Sequence, residues 1–190
     1  MAALIDTLRE EHRNIARLLG ALEHQVEIFA QEGTPDYDVI VGIAEYFLEY
    51  PDLCHHPKED IIFNRIKTEY PKQVPSVDHL LSEHRLIHGR TLRFRTTVNE
   101  LLSGADIGRS TIVDTARLFM EGERRHMQRE EEFFFPLAEQ MLSAADWSHI
   151  EGELAKRPDP LFGERVETRY RLLRERLLAW EQEYPYDRDL

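Results

Sequence analysis

One pair of signals occurs twice along this chain, and the repeat limits what it can fold into. Glu11-His12-Arg13-Asn14-Ile15 returns 72 residues later as Glu83-His84-Arg85-Leu86-Ile87. His55-His56-Pro57-Lys58-Glu59-Asp60, followed by Phe63, returns 71 residues later as His126-Met127-Gln128-Arg129-Glu130-Glu131, followed by Phe134. Each copy sets a histidine on one segment and His-x-x-x-Glu on the next. An internal repeat of this kind marks a duplicated supersecondary unit.

The segments that carry the signals have apolar residues at helical spacing. The expected helices cover residues 4–31, 37–70, 76–102 and 110–142. On the first, Leu8, Ile15, Leu19, Leu22, Val26 and Phe29 form one stripe. Thr34 is the expected cap of the second and Pro35 its first residue. Pro51 falls inside the second helix and is expected to kink or interrupt it. Residues 71–75 read as a turn, and Ser103-Gly104-Ala105-Asp106 breaks the chain again. Long helices with short links predict an all-α, up-down-up-down antiparallel four-helix bundle over residues 1–142. Residues 143–190 read as a C-terminal helical extension. It holds a short helix at 146–155, a Pro-rich loop at 156–163, and a helix with Val166, Tyr170, Leu173, Leu177 and Trp180 on one stripe. That last helix is expected to dock on the bundle or on a partner, which makes it a candidate homodimer contact. Acids mixed among its arginines argue against a membrane surface.

Composition narrows the partners. A net charge of −12 over 190 residues repels phosphate backbones, so no nucleic acid is expected. No apolar stretch is long enough to span a bilayer, so no membrane is expected. Arg9 to Arg13 interrupt the only apolar run that could resemble a secretion signal. The single cysteine, Cys54, allows no intrachain disulfide and points to a reducing, cytoplasmic setting.

Residues four apart on a helix face the same way, about 5–6 Å from each other, so His-x-x-x-Glu aims an imidazole and a carboxylate at one point. Stepping each residue by about 100° shows which point that is. His12 falls beside Leu8, Ile15 and Leu19, and His84 beside Leu80, Ile87 and Val98. His126 and Glu130 lie within the stripe of Phe119, Met120, Phe134 and Leu137. His55 and Glu59 share the stripe of Ala44, Leu48, Ile62 and Ile66, whereas His56 and Asp60 share a side with Glu45, Glu49 and Lys67. His55 is therefore preferred to His56, although Pro51 can shift this phase. A single histidine on an apolar stripe is ordinarily a hydrogen-bonded core residue. Six buried polar groups in a two-fold repeat are costly unless they satisfy one another or a metal. Imidazole with carboxylate suits first-row metals better than magnesium or calcium, and a glutamate can bridge two ions. The predicted metal ligands are thus His12, His55, Glu59, His84, His126 and Glu130. His88, four residues after His84 and at the stripe edge, is read either as a seventh ligand or as a rim histidine. Glu123 is read as an outer acceptor, an extra carboxylate ligand or a bundle-end residue reaching water. Glu11 and Glu83 either orient neighbours or carry surface charge. Cys54 reads as a buried thiol, Tyr37, Tyr46 and Tyr50 as packing residues, and His24, His79 and His149 as solvated.

At these residues the chain resembles the hemerythrin-like family, the HHE cation-binding domain. The family pattern is a histidine, His-x-x-x-Glu, a histidine and His-x-x-x-Glu on successive helices. Here it falls on His12, on His55 with Glu59, on His84, and on His126 with Glu130. Glu130 to Pro136 also look like the family's Glu-Glu…Phe-Pro ending, and the similarity covers residues 4–142. The resemblance implies a non-haem site for two iron ions, with zinc or manganese as further metals the donors accept. It also implies dioxygen or nitric oxide as the small ligand. His84 and His88 would match the His-x-x-x-His pair of classical hemerythrins. Their His-x-x-x-x-Asp on the fourth helix is missing here, which weakens the case for reversible dioxygen carriage. The expected function is small-ligand binding or sensing rather than turnover. The alternatives are a redox enzyme acting on peroxide or iron, and an iron-handling or repair protein.

Overall fold

The first helix, α1 (Ala2–Ala30), is built on a stripe in which Ile5, Leu8, Ile15, Leu19, Leu22, Val26 and Phe29 recur at steps of three and four. His12 fills the one place in that series not taken by an apolar residue. The helix ends where Glu32 takes a left-handed backbone (φ 63°) and the Gly33 N–H donates to Ile28 O at 2.9 Å. Glycine is required at 33 by close approach, since a Cβ there would lie 2.8 Å from Ile28 Cγ2. The computed structural model describes residues 2–72, 80–154 and 158–184. The expected start of the third helix at 76, His79, and the end of the short helix at 155 lie outside the described residues.

The second helix of the bundle has two parts, α2 (Tyr37–Tyr50) and α3 (His56–Glu69), joined without a break by a π turn at Pro51–His55. Its cap is Asp36, whose side chain accepts from Asp38 N and Val39 N, rather than the expected Thr34. Pro51 does not break the helix. The third is α4 (Leu80–Leu102). The fourth is again double: α5 (Arg109–Arg129), a π turn at Glu130–Phe134, and α6 (Phe135–Met141). Both π turns have one cause. Pro57 and Pro136 each stand two residues beyond the turn, where a proline ring collides with the carbonyl four residues back and leaves it without an N–H donor. Those carbonyls belong to Leu53 and Glu132, and the ladder widens around them. His56 N–H reaches Pro51 O, and Phe135 N–H reaches Glu130 O.

The four helices close a ring, with α1 against α2 and α5, and α4 against α2 and α5. The apolar core inside falls into two clusters. One holds Leu19, Leu22, Phe47, Phe94 and Phe119; the other holds Ile5, Leu8, Ile62, Phe63, Phe134 and Phe135. A polar layer at the level of His12 separates them. The C-terminal segment covers the bundle from outside. In α7 (Ala144–Glu153), Ser143 and Asp146 form a capping box, and Asp146 also takes Arg65 and Tyr70 from the α3 side. A single 3-10 turn at Thr168–Tyr170 sets Tyr170 against Tyr46 of α2, and α8 (Arg171–Glu183) lays Leu173 and Leu177 on α2, close enough that a Cβ on Gly42 would meet Leu173 at 3.4 Å. The stripe read as a docking face is thus covered by this chain's own bundle. Among the described residues, no helix is long and apolar enough to cross a membrane.

Candidate metal centre

The polar layer brings two sets of donors together. His12, His55, Glu59 and Glu130 form one, and His56, Glu59, His84 and His126 the other; within each, one ligand atom per residue lies within 4.8 Å of the rest. In the first set His12 Nε2 is 3.1 Å from His55 Nε2, 3.3 Å from Glu130 Oε2 and 3.7 Å from Glu59 Oε1, and His55 Nε2 is 3.2 Å from that same Glu59 oxygen. In the second, His84 Nε2 is 3.4 Å from Glu59 Oε2, and Glu130 of the first set turns Oε1 toward it, 3.7 Å from His84 Nε2 and 3.1 Å from His126 Nε2. Each glutamate therefore gives one oxygen to each pair of histidines. Donors about 2.1 Å from a common ion and 90–110° apart stand about 3.0–3.4 Å from one another, so most of these separations are those of a coordination shell.

The remaining ring nitrogens are fixed from outside. His12 Nδ1 meets Glu131 Oε1 at 2.9 Å, and His84 Nδ1 meets Asp60 Oδ1 at 3.0 Å. His55 Nδ1 meets Glu11 Oε2 at 2.8 Å, and His126 Nδ1 meets Glu83 Oε2 at 3.2 Å. A carboxylate on Nδ1 holds the proton there and leaves the Nε2 lone pair facing inward. Lys58 pairs with Glu11 and Arg129 with Glu83. All of these outer groups obey the sequence repeat: Glu11 and Glu83 stand 72 apart, Lys58 and Arg129, and Asp60 and Glu131, 71 apart.

Two observations test whether a cation fits. Both oxygens of Glu59 and of Glu130, together with Nε2 of His84 and of His126, are buried without a hydrogen-bond partner. Six such atoms converging on one layer is a large uncompensated cost. The electrostatics make the same demand. Burial disfavours the His12 imidazolium, yet Glu130, Glu131 and Glu59 hold its pKa well above the ordinary histidine value. His55 is raised against burial by Glu59 and Glu11, and His126 by Glu130 and Glu59. His84 is pushed up to about 12 by Asp60, Glu130 and Glu59, again against burial. Glu59 and Glu130 are held low by the surrounding histidines although burial opposes it, and Glu59 also opposes it at Glu130. The layer calls for positive charge between its donors, as protons or as metal ions.

The six ligands read from the repeat come together here. His88 does not: it is exposed and belongs to neither set. His56 corrects the assignment to the outer side of helix 2. It is 5% exposed and stacks on His84 with ring centroids 4.3 Å apart. An unbroken 100° step places it outside; the π turn at Pro51–His55 delays the phase and turns both tandem histidines inward. Asp60, on the same side by a constant step, reaches His84 instead. Glu123 is buried, not at a wet bundle end, and lies outside both sets. Glu11 and Glu83 orient neighbouring histidines rather than carrying free surface charge. Cys54 is half-buried.

The comparisons with known proteins agree with this geometry. The family model for the hemerythrin HHE cation-binding domain matches residues 3–138. No curated protein and no solved structure gives a match. The matched stretch spans almost all of the four-helix bundle and includes every residue of the two donor sets, so the chain belongs to the hemerythrin HHE cation-binding domain family.

Proposed function

We propose that this chain is a non-haem di-iron protein that binds or senses dioxygen or nitric oxide. His12, His55, Glu59, His84, His126 and Glu130 hold the ions, with His56 as a further imidazole on the His84 side. The observation that carries this reading is the division of Glu59 and Glu130, each of which turns one oxygen to either pair of histidines. A site for a single ion has no use for two carboxylates shared in this way. Ferrous ions bound there supply a coordination position at which dioxygen or nitric oxide can bind and exchange electrons.

The protein's own part is to orient, to neutralise and to keep water out. Glu11, Glu83, Asp60 and Glu131 fix the imidazole tautomers. Phe135 stacks on the His12 ring at 5.3 Å, and Phe134 and Phe63 are buried beside the layer. Five imidazoles to two carboxylates leave fewer anionic donors than a carboxylate-rich site, which favours ligand binding over oxidation of a substrate. The test is metal analysis of protein purified without air, followed by an optical spectrum on admitting dioxygen or nitric oxide. About two irons per chain with reversible bands is the expected outcome. Zinc or manganese in place of iron, or turnover of peroxide far beyond the metal content, would overturn it.

A further inference from the structure

The end of the bundle remote from α3 and α6 holds a cavity of about 20 Å3, lined by all four helices and wholly apolar. Val26 of α1, Ile40 of α2, Val98 of α4 and Ile112 of α5 form its walls. Tyr37 and Leu101, both half-buried, stand at its outer end. Phe94 and Ala116 are the lining residues nearest the polar layer. Each stands ten residues from a histidine of that layer, His84 on α4 and His126 on α5. Ten residues of helix are about 15 Å long. Phe94 stacks on Phe119 with ring centroids 5.1 Å apart and planes at 6°, and Phe119 meets Phe47 edge-on at 4.9 Å. The cavity walls, these rings and Met120 belong to one apolar cluster, which reaches from the bundle end toward the layer.

Close-packed interiors leave few voids larger than a water molecule, and this one exceeds the roughly 10–15 Å3 that a water needs. Water is nevertheless a poor occupant. The buried threonines of α4 and α5 turn their hydroxyls to the carbonyls of their own helices: Thr91 to Ile87, Thr97 to Arg93 and Thr115 to Thr111. A water in an apolar void finds none of the polar partners that hold buried water. An apolar diatomic molecule needs no such partner. Dioxygen and nitric oxide both dissolve better in hydrocarbon than in water, and the walls offer them dispersion contacts on every side. The cavity thus admits a ligand by size and polarity and leaves water outside.

We propose that this cavity is a docking site for an apolar diatomic ligand, dioxygen or nitric oxide, on its way from the bundle end to the metal layer. The ligand enters past Tyr37 and Leu101, rests among Val26, Val98 and Ile112, and leaves past Phe94 and Phe119. Its destination rests on the di-iron reading; its occupancy of the cavity does not.

The test has two arms. In the first, methyl resonances of the full chain loaded with zinc, which neither reacts with dioxygen nor broadens the spectrum, are recorded under nitrogen and under dioxygen. Dioxygen is paramagnetic and speeds the relaxation of nuclei beside it. The methyls of Val26, Val98 and Ile112 should relax several-fold faster under dioxygen than those of Leu4 and Leu142, which are as well buried in the other cluster. Val98→Ile adds one carbon to the cavity and should abolish the difference; Val26→Ile does the same from the opposite wall if the first variant folds poorly. In the second arm, ferrous protein is mixed with nitric oxide without air. Filling the cavity should slow association and dissociation by the same factor and leave the affinity unchanged, because the cavity lies on the path and not at the destination. Relaxation no faster than at Leu4 and Leu142, or unchanged in both filled variants, overturns the docking site. Nitric oxide rates unchanged in the filled variants overturn the passage. Protein that takes up no iron overturns the di-iron reading and the passage with it, while the dioxygen arm still decides the cavity.

Discussion

Replacing Glu11 by glutamine isolates the outer carboxylate from the inner ligands. Glu11 is 7% exposed and takes the Tyr50 hydroxyl and Lys58 on one oxygen and His55 Nδ1 on the other. Glutamine keeps the shape and can still accept from Tyr50 and Lys58. Its amide NH2 then faces the Nδ1 proton of His55, donor against donor. To escape, His55 must move its proton to Nε2, the atom that faces the metal layer 3.1 Å from His12 Nε2. Loss of an outer partner of this kind costs about 10–100-fold in metal affinity, or about 1.4–2.7 kcal/mol. The change should fall on one ion only. Glu11→Gln should weaken the ion of His12 and His55, and Glu83→Gln the ion of His84 and His126. Competition with a chelator, titrated without air, reads the two affinities. Glu10→Gln, whose side chain points to solvent and Arg13, is the control. Two affinities in Glu11→Gln within about twofold of the parent would refute the argument that this carboxylate sets the tautomer.

Three further outcomes follow from the same geometry. His56→Ala should lower the affinity of the His84-side ion, and His88→Ala should leave both ions in place, as read by metal content after dialysis against a weak chelator. The metal-free protein should respond to pH in two directions. Its histidines have raised pKa values, so their contribution is complete below the unfolded value of about 6.5 and is lost as pH rises through the folded values. Glu59 and Glu130 are depressed, so their contribution is present above about 4.3 and is lost as pH falls through their folded values. Thermal melting without metal should therefore peak between these limits, whereas metal, which displaces the imidazole protons, should stabilise more as pH rises. A metal-free melting temperature that climbs from pH 6 to pH 9 would contradict this. Finally, Asp146→Ala removes the carboxylate half of the α7 capping box, which accepts from Ser143 N and Oγ, together with the partner of Arg65 and Tyr70. It should cost about 1–2 kcal/mol, read as a lower urea midpoint with unchanged slope and unchanged metal content.

The bundle was legible because its stripes are regular: His12 interrupts a three-four series that is otherwise entirely apolar, and the repeat places its partners. What the spacing could not convey was the local change of helical pitch. Pro51 announced a disturbance, but Pro57 and Pro136 produce the two π turns, and a widened turn moves every later residue around the helix. A constant step therefore sets His56 and Asp60 on the side of Glu45, Glu49 and Lys67, whereas His56 is buried and Asp60 holds His84. The outer shell was within reach of sequence, since Lys58 with Arg129 and Asp60 with Glu131 keep the 71-residue offset. The weakness there was physical: charged residues at helix surfaces are common, and only the fold shows that these ones meet buried rings. The cap is Asp36 and not Thr34 because the chain leaves α1 through a left-handed Glu32, stays out of regular structure to 36, and meets α2 with Asp36 in the extended conformation of a cap.

Crystals of the iron-loaded chain, measured for anomalous scattering at the iron edge, address the central claim directly. The account predicts two peaks per chain, one flanked by His12 and His55 and the other by His84, His126 and His56, with Glu59 and Glu130 each contacting both. A single peak, or two peaks that share neither glutamate, would contradict it.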